Sequence, residues 1–325
     1  MKHLQLIFIF LLFSIFLFCE ISPAEEIEIK HADLLQADKE QIQIMGNVII
    51  NYKEAIIEAP GGVIENDKDG EQNKAIFSGR AKLKLKDRML EADKIEVSIK
   101  DKTIHAEGST ISKLKDKKND WITIFSDYQE LHWSGENANA KGNITTLYQD
   151  TKVTSDEVRI IYKSKKPSEA VFTGYIKPAH IEQPTNITSA EEFIVDLNTN
   201  DLWATGNVNS KVWANKKSKK SEQDLVYLNA EDLFIEKATG TVVAKSKAKK
   251  VLITYQETKG ESTEATLLRD KATNNPERIL FKGNANVAQE DKQISSEEVV
   301  FNFKDKKLTS NTRANIRPKT LIFKK

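Results

Sequence analysis

Apolar and polar residues alternate with a period of two through most of this chain, the pattern of strands with one dry face and one wet face. In the first clear run Ile42, Ile44, Gly46, Val48, Ile50 and Tyr52 share one side, with Gln43, Met45, Asn47, Ile49 and Asn51 on the other. Ala81, Leu83 and Leu85 alternate with lysines, and Ile95, Val97 and Ile99 alternate with Lys94, Glu96 and Ser98. The pattern returns at Val158, Ile160 and Tyr162, at Leu202 to Val208 and at Phe281 to Val287. Short polar connections at 100–102, 198–201 and 304–307 predict hairpins, and the longer polar stretches 66–73, 113–120, 215–224 and 257–276 read as loops. No long amphipathic helix is legible after residue 25.

The strands repeat. Gly46, Gly79, Gly108, Gly142, Gly174, Gly206, Gly240 and Gly283 fall mostly 29 to 34 residues apart, a period that signals a stacked or solenoidal architecture. A small residue, an acid and an apolar residue follow at a fixed offset: Gly79 leads by 13 to Ala92-Asp93-Lys94-Ile95, Gly142 to Ser155-Asp156-Glu157-Val158, and Gly283 to Ser296-Glu297-Glu298-Val299. Ala190-Glu191-Glu192-Phe193 and Ala230-Glu231-Asp232-Leu233 are relatives at longer spacing, and Pro60-Gly61-Gly62 replaces the acid in the first unit. Glycine within a strand permits a bulge or a close approach, and an asparagine after it tolerates unusual dihedrals. Gly46-Asn47, Gly142-Asn143, Gly206-Asn207 and Gly283-Asn284 are therefore read as bends in a sheet.

Composition narrows the function. With 49 basic and 48 acidic residues in 325, the net charge of +1 provides no global field for nucleic acid. Lys2 and His3 precede an apolar run from Leu6 to Cys19, and Ser22-Pro23-Ala24 offers small residues for cleavage, so 1–24 reads as a signal peptide and 25–325 as the exported region. A run of 14 falls short of the roughly 20 apolar residues that span a bilayer, and an uncleaved anchor at 4–22 is the alternative. Cys19 is the only cysteine, so the exported region has no disulfide.

Catalytic signatures are missing. His31, His105, His132 and His180 stand singly without metal-ligand spacing, and neither a Gly-x-Ser-x-Gly elbow nor a phosphate-binding Gly-Lys-Ser/Thr loop occurs. The recurring acids read as solvated turn residues, since an active site needs one constellation and a scaffold needs many equal units. The lysine-rich stretch 216–220 reads as a solvated loop and 245–250 as an edge strand guarded by lysine. Trp121, Trp133, Trp203 and Trp213 read as core or rim residues. No enzyme, cofactor or metal is expected.

The ordered strands Ile44-Met45-Gly46-Asn47-Val48-Ile49-Ile50, Leu90 to Val97 and Trp203-Ala204-Thr205-Gly206-Asn207-Val208 resemble the OstA-like, LptA-type family of lipopolysaccharide-transport periplasmic proteins, across most of 27–315. The resemblance implies an all-β fold, an antiparallel β-jellyroll in one or two modules, with a module boundary expected near 113–121. It also implies a lipopolysaccharide-binding bridge carrying lipid from inner to outer membrane, with other jellyroll transport proteins and end-to-end copies of itself as partners. Burying acyl chains is worth about 0.8 kcal/mol per methylene, which an apolar groove with a wet exterior exploits. The expected groove residues are Ile44, Val48, Ile50, Leu83, Leu85, Ile95, Val97, Val158, Ile160, Phe193, Val195, Leu202, Val208, Phe281, Val299 and Phe301. The alternatives are an inner-membrane-anchored member of the same pathway, a structural or adhesive cell-surface β-solenoid, and a polysaccharide-acting enzyme on a repetitive scaffold.

Overall fold

In the computed structural model, which describes residues 27–132, 137–213, 221, 224–273, 275–290, 292–311 and 319–322, the alternating segments form a single sheet of 24 antiparallel strands. These are β1 (Glu28–His31), β2 (Leu34–Ala37), β3 (Gln41–Tyr52), β4 (Ala55–Asn66), β5 (Gln72–Leu85), β6 (Arg88–Ser98), β7 (Thr103–Lys115) and β8 (Trp121–His132). Next come β9 (Asn137–Tyr148), β10 (Thr151–Lys163), β11 (Lys166–Thr173), β12 (Ala179–Gln183), β13 (Asn186–Ala190), β14 (Glu192–Asp196), β15 (Leu202–Trp213) and β16 (Leu225–Ile235). The last eight are β17 (Val242–Lys245), β18 (Val251–Tyr255), β19 (Thr258–Ser262), β20 (Glu264–Arg269), β21 (Pro276–Gln289), β22 (Lys292–Asn302), β23 (Lys307–Asn311) and β24 (Lys319–Ile322).

The register shows how this sheet becomes two layers. Neighbouring long strands lose register near their middles: Met45 faces Gly61 while Val48 faces Ala59, and the same slip recurs from Ser78 to Ala81 and from Thr205 to Val208. Each slip is a bulge that bends the strand. Elsewhere the bend separates two short strands, so that β11 pairs with the C-terminal half of β10 while β12 pairs with its N-terminal half. The pairs β1/β2, β13/β14, β17/β18, β19/β20 and β23/β24 behave alike. Every rung of the stack is a bent strand with one arm in each layer. This is a jellyroll whose layers join along a line of corners, and among the described residues no ladder joins their opposite ends.

The corner chemistry is clearest at Gly142 and Asn143, which take φ of +77° and +45° in succession. A side chain on residue 142 would meet Asp127 of the neighbouring strand, whose carboxylate oxygen lies 2.5 Å from where the Cβ would stand. Only glycine fits that left-handed, covered position. Asn143 Nδ2 donates to the same Asp127 oxygen at 2.7 Å. The same arrangement places Asp33 over Gly46, Asp93 over Gly108 and Glu191 over Gly206, with Asn47 and Asn207 donating to Asp33 and Glu191. Pro60 takes the acid's place over Gly79, and Thr263 does so over Gly283.

The interior alternation depends on these corners. In a glycine rung the inward residues keep step across the bend, as in Ile44 and Val48 or Phe77 and Ala81. In an acid rung the inward set jumps three positions, from Ala92 to Ile95 and from Ala190 to Phe193, leaving the acid outside at the bend. That jump is the small-acid-x-apolar motif.

Several expectations change. Segment 257–276 contains β19 and β20 rather than a loop, and 245–250 is a corner between β17 and β18 rather than an edge strand, because β17 is paired on both sides. Gly174 lies in the corner between β11 and β12 without positive φ, and Gly240 in the turn before β17, so neither forms a bulge within a strand. The polar stretches 66–73 and 113–120 shorten to tight turns. The segment 1–24, read from the sequence as a signal peptide, lies outside the described residues, as do Trp133 and 216–220.

Candidate functional site

The space between the layers is the one feature that every rung contributes to. Fourteen of the sixteen expected groove residues lie there with no more than 2% of their surface exposed, while Leu85 and Val195 are half-buried and pack against the same interior. Their outward neighbours carry the charge: Lys84 pairs with Glu58 at 2.5 Å and Lys74 with Glu96 at 2.9 Å. The two faces of each strand thus differ in chemistry as the period-two pattern requires.

Side chains from both layers meet across this interior. Phe281, in one layer, lies against the backbone of Gly260 in the other, and a Cβ on Gly260 would collide with its ring. Tyr255 packs edge-on against Phe303 at 4.8 Å and Phe301 at 6.0 Å between centroids. The C-terminal interior is therefore aromatic, whereas the N-terminal one is built mainly from Ile44, Ile50, Ile57, Ile64, Leu83 and Ile95.

Between these regions the interior turns polar. Thr110 Oγ1 and Ser126 Oγ lie 2.7 Å apart, Gln129 Nε2 donates to Thr110 Oγ1 at 2.9 Å, and all three residues are buried. Buried Ser112 follows Thr110 on the same arm of β7, and buried Thr146 lies on β9 beside β8. Close to this band the apolar interior divides into two clusters, one from Ile27 to Ala106 and one from Leu114 to Phe301, bridged by Leu131. Nothing in the period-two pattern distinguishes these inward polar residues, because Thr110 and Gln129 occupy the same strand positions as Ile or Val elsewhere. Beside them, Tyr148 Oη donates to Asp116 Oδ2 at 2.6 Å. Burial first, and the adjacent carboxylate second, push the tyrosine's pKa far up.

The repeated acids are not free turn residues. Asp156 accepts backbone N–H groups of Tyr175 and Ile176, each at 2.6 Å. Glu231 accepts those of Lys247, Ala248 and Lys249 between 2.9 and 3.0 Å. These bonds hold both carboxyls below the usual carboxylate range, the Ile176 bond leading for Asp156 and the Lys247 bond for Glu231. Sequence reasoning paired each acid with the glycine before it, whereas the contact is with the corner that follows. It also passed over Asp33, Asp127 and Thr263, although Ser126-Asp127-Tyr128-Gln129 has the same small-acid form with a polar residue at the inward position.

Two tryptophans, Trp121 and Trp203, are exposed at the rim, and Trp213 is buried. His105 contacts Tyr128 Oη at 2.6 Å and His180 contacts Ser189 Oγ at 3.1 Å, as single residues in strands. Among the described residues no cluster of three His, Cys, Asp or Glu is placed to hold a metal, and no helix is long and apolar enough to cross a membrane. A surface cleft of about 690 Å³ has Leu225, Tyr227, Thr258 and Phe301 among its walls.

No family model matches the sequence, and no curated protein matches it. Among solved structures, the chain is similar to the crystal structure of LptH, described as the LptA homologous periplasmic component of the conserved lipopolysaccharide transport device from Pseudomonas aeruginosa. The identity is 12%, the match covers 62% of this chain and 94% of that one, and the TM-score is 0.17.

Proposed function

We propose that this chain is an exported, periplasmic carrier of lipopolysaccharide or a related lipid, which takes acyl chains between the two layers while the sugar head stays in water. The observation that carries this reading is the apolar interior, lined by both arms of rung after rung and, among the described residues, left without a closing ladder on the mouth side. Such a stack offers many similar apolar positions and no single deep site, as a surface along which a lipid moves requires. Because side chains meet across the interior, lipid uptake involves the layers parting at the mouth, with methylene burial at about 0.8 kcal/mol each as the compensation.

On this reading residues 1–24 are the export signal and 25–325 the jellyroll region, and the polar band supports a module boundary near 113–121. The edges left unpaired among the described residues, β1/β2 at one end and β23/β24 at the other, expose Leu34, Leu35, Leu321 and Ile322. Unpaired edges add strands from other chains, so they suit neighbouring jellyroll proteins at either membrane or another copy of this chain.

The filled interior is also what a structural β-solenoid would have. Native mass spectrometry of the protein purified from the periplasm separates the two: the carrier reading expects a population with bound acylated lipid, lost on chloroform–methanol extraction. A single lipid-free mass from membrane-containing lysates, with no uptake of added lipopolysaccharide, would favour the structural reading.

A further inference from the structure

At the seam between the two apolar clusters, the mouth of the jellyroll carries charge beside an apolar slot. Leu85, Leu90, Ile104, Leu114, Leu131 and Tyr162 line the slot, which reaches between the layers. Leu85 and Arg88 form the wall it shares with a surface cleft of about 430 Å³. That cleft sets Lys53, Lys86, Arg88 and Lys165 against Glu54 and Asp87, an excess of two positive charges in a chain whose total is +1.

The pairing there is incomplete. Arg88 reaches Asp87 only at 3.9 Å and lays its guanidinium over the Tyr162 ring, 4.7 Å from the centroid. Among the described residues neither Lys86 nor Lys165 makes an ion pair. Tyr162 Oη is buried without a hydrogen-bond partner among the described residues, and burial is the main cause that raises its pKa, so it remains a neutral donor. A buried hydroxyl with no acceptor costs stability that an incoming oxygen would restore.

We propose that this seam is the lateral port through which an anionic acyl lipid is admitted, with its phosphate on Lys86, Arg88 and Lys165 and one acyl chain in the slot. The inference rests on the carrier reading and adds to it the place and the head-group chemistry. The slot holds only about 20 Å³ of open space, so Arg88 leaves the Tyr162 ring as the chain enters. A phosphate gives that guanidinium a bidentate partner in exchange and gives Tyr162 Oη an acceptor. The seam suits opening because the apolar packing is already divided there: Leu85 belongs with one cluster and Tyr162 with the other. A neutral head group would leave the cations without a partner.

The test uses the full exported chain and a lysophosphatidic acid with a diazirine at the end of its acyl chain, compared with a monoacylglycerol carrying the same chain. Photolabelling of peptides containing Ile104, Leu114 or Leu131 is expected, falling at least tenfold in the double variant K86E/K165E for the anionic probe alone. Both substitutions are on exposed residues, and an unchanged thermal melt confirms that the variant folds. Equal labelling of the wild type and the double variant overturns the port. So does competition by inorganic phosphate at the lipid's own concentration, which would make the cleft a site for the anion alone. If labelling reaches Val208 in the interior yet ignores the charge reversal, the port fails and the carrier reading stands. If no interior peptide is labelled, both fail.

Discussion

The Asp127 carboxylate covers the backbone of Gly142, occupying the place a side chain would take and accepting a hydrogen bond from Asn143 at 2.7 Å. One strand provides the bend and its neighbour provides the lid, so the two residues are a single device. Removing the carboxylate in Asp127→Ala loses about 1 kcal/mol. Gly142→Ala costs roughly 2 kcal/mol, from the left-handed φ together with the collision. In the double variant the collision with the carboxylate is gone and only the residue 127 Cβ, 3.1 Å away, remains close, so urea titrations should show coupling of at least about 0.5 kcal/mol. Strict additivity would mean that the two residues act separately.

Gly206→Val places a β-branched side chain at φ +78° and beneath Glu191. The expected outcome is a lowered melting temperature or no folded protein. An unchanged melt with lipid binding abolished would move Gly206 from the scaffold into the binding surface.

Asp156 and Glu231 have folded-state pKa values below the ordinary ones. A lowered carboxylate pKa means that the stabilisation is complete above the unfolded value, about 4, and is lost as pH falls through the folded value. Urea midpoints should therefore be flat from pH 7 to about 5 and fall below about 4. In D156N/E231Q the midpoint at pH 7 is lower and the acid limb shallower. An acid limb of unchanged depth in that variant would assign the effect to other carboxylates.

The buried Thr110–Ser126–Gln129 group makes a sharper case for asymmetry. Gln129→Leu alone strips Thr110 of one bond and should cost about 1–2 kcal/mol. Replacing all three with T110V, S126A and Q129L removes the polar group altogether and should recover most of that loss. Equilibrium unfolding of the two variants checks the ordering, and a triple variant less stable than the single one would contradict it.

Much of the fold is legible in the alternation, since strands with one dry face leave period two wherever both arms face the same interior. The corners are harder. Ala92-Asp93-Lys94-Ile95 looks like a strand start because the inward set changes phase there, yet it is the middle of β6, and only the partner Gly108 on the next strand makes sense of the acid. Segment 257–276 reads as a loop because Thr258, Gly260 and Ser262, the inward residues of β19, are small or polar; at Gly260 the reason is the Phe281 ring, which occupies the space a side chain would take. Such complementarity across layers leaves no trace in a local pattern. The interior candidates were legible for the opposite reason, as large apolar residues in strict alternation, whereas the polar band was not.

The edges supply a test of assembly. Among the described residues β24 pairs with β22 alone, with Leu321 and Ile322 exposed, and β2 pairs with β3 alone, with Leu34 and Leu35 exposed. L35K and L321K, by charging the edges, should reduce concentration-dependent association in light scattering while leaving the melt intact. A strict monomer at every concentration, together with no binding to a related jellyroll at either intact end, would refute end-to-end assembly.

The central claim is that acyl chains lie between the layers, and site-specific photo-crosslinking to labelled lipopolysaccharide tests it most directly. A photoreactive residue at Val97 or Val208, both buried in the interior, should capture the lipid, while one at Lys84 or Glu96 on the outer face should not. Equal labelling of the inner and outer pairs would contradict the account.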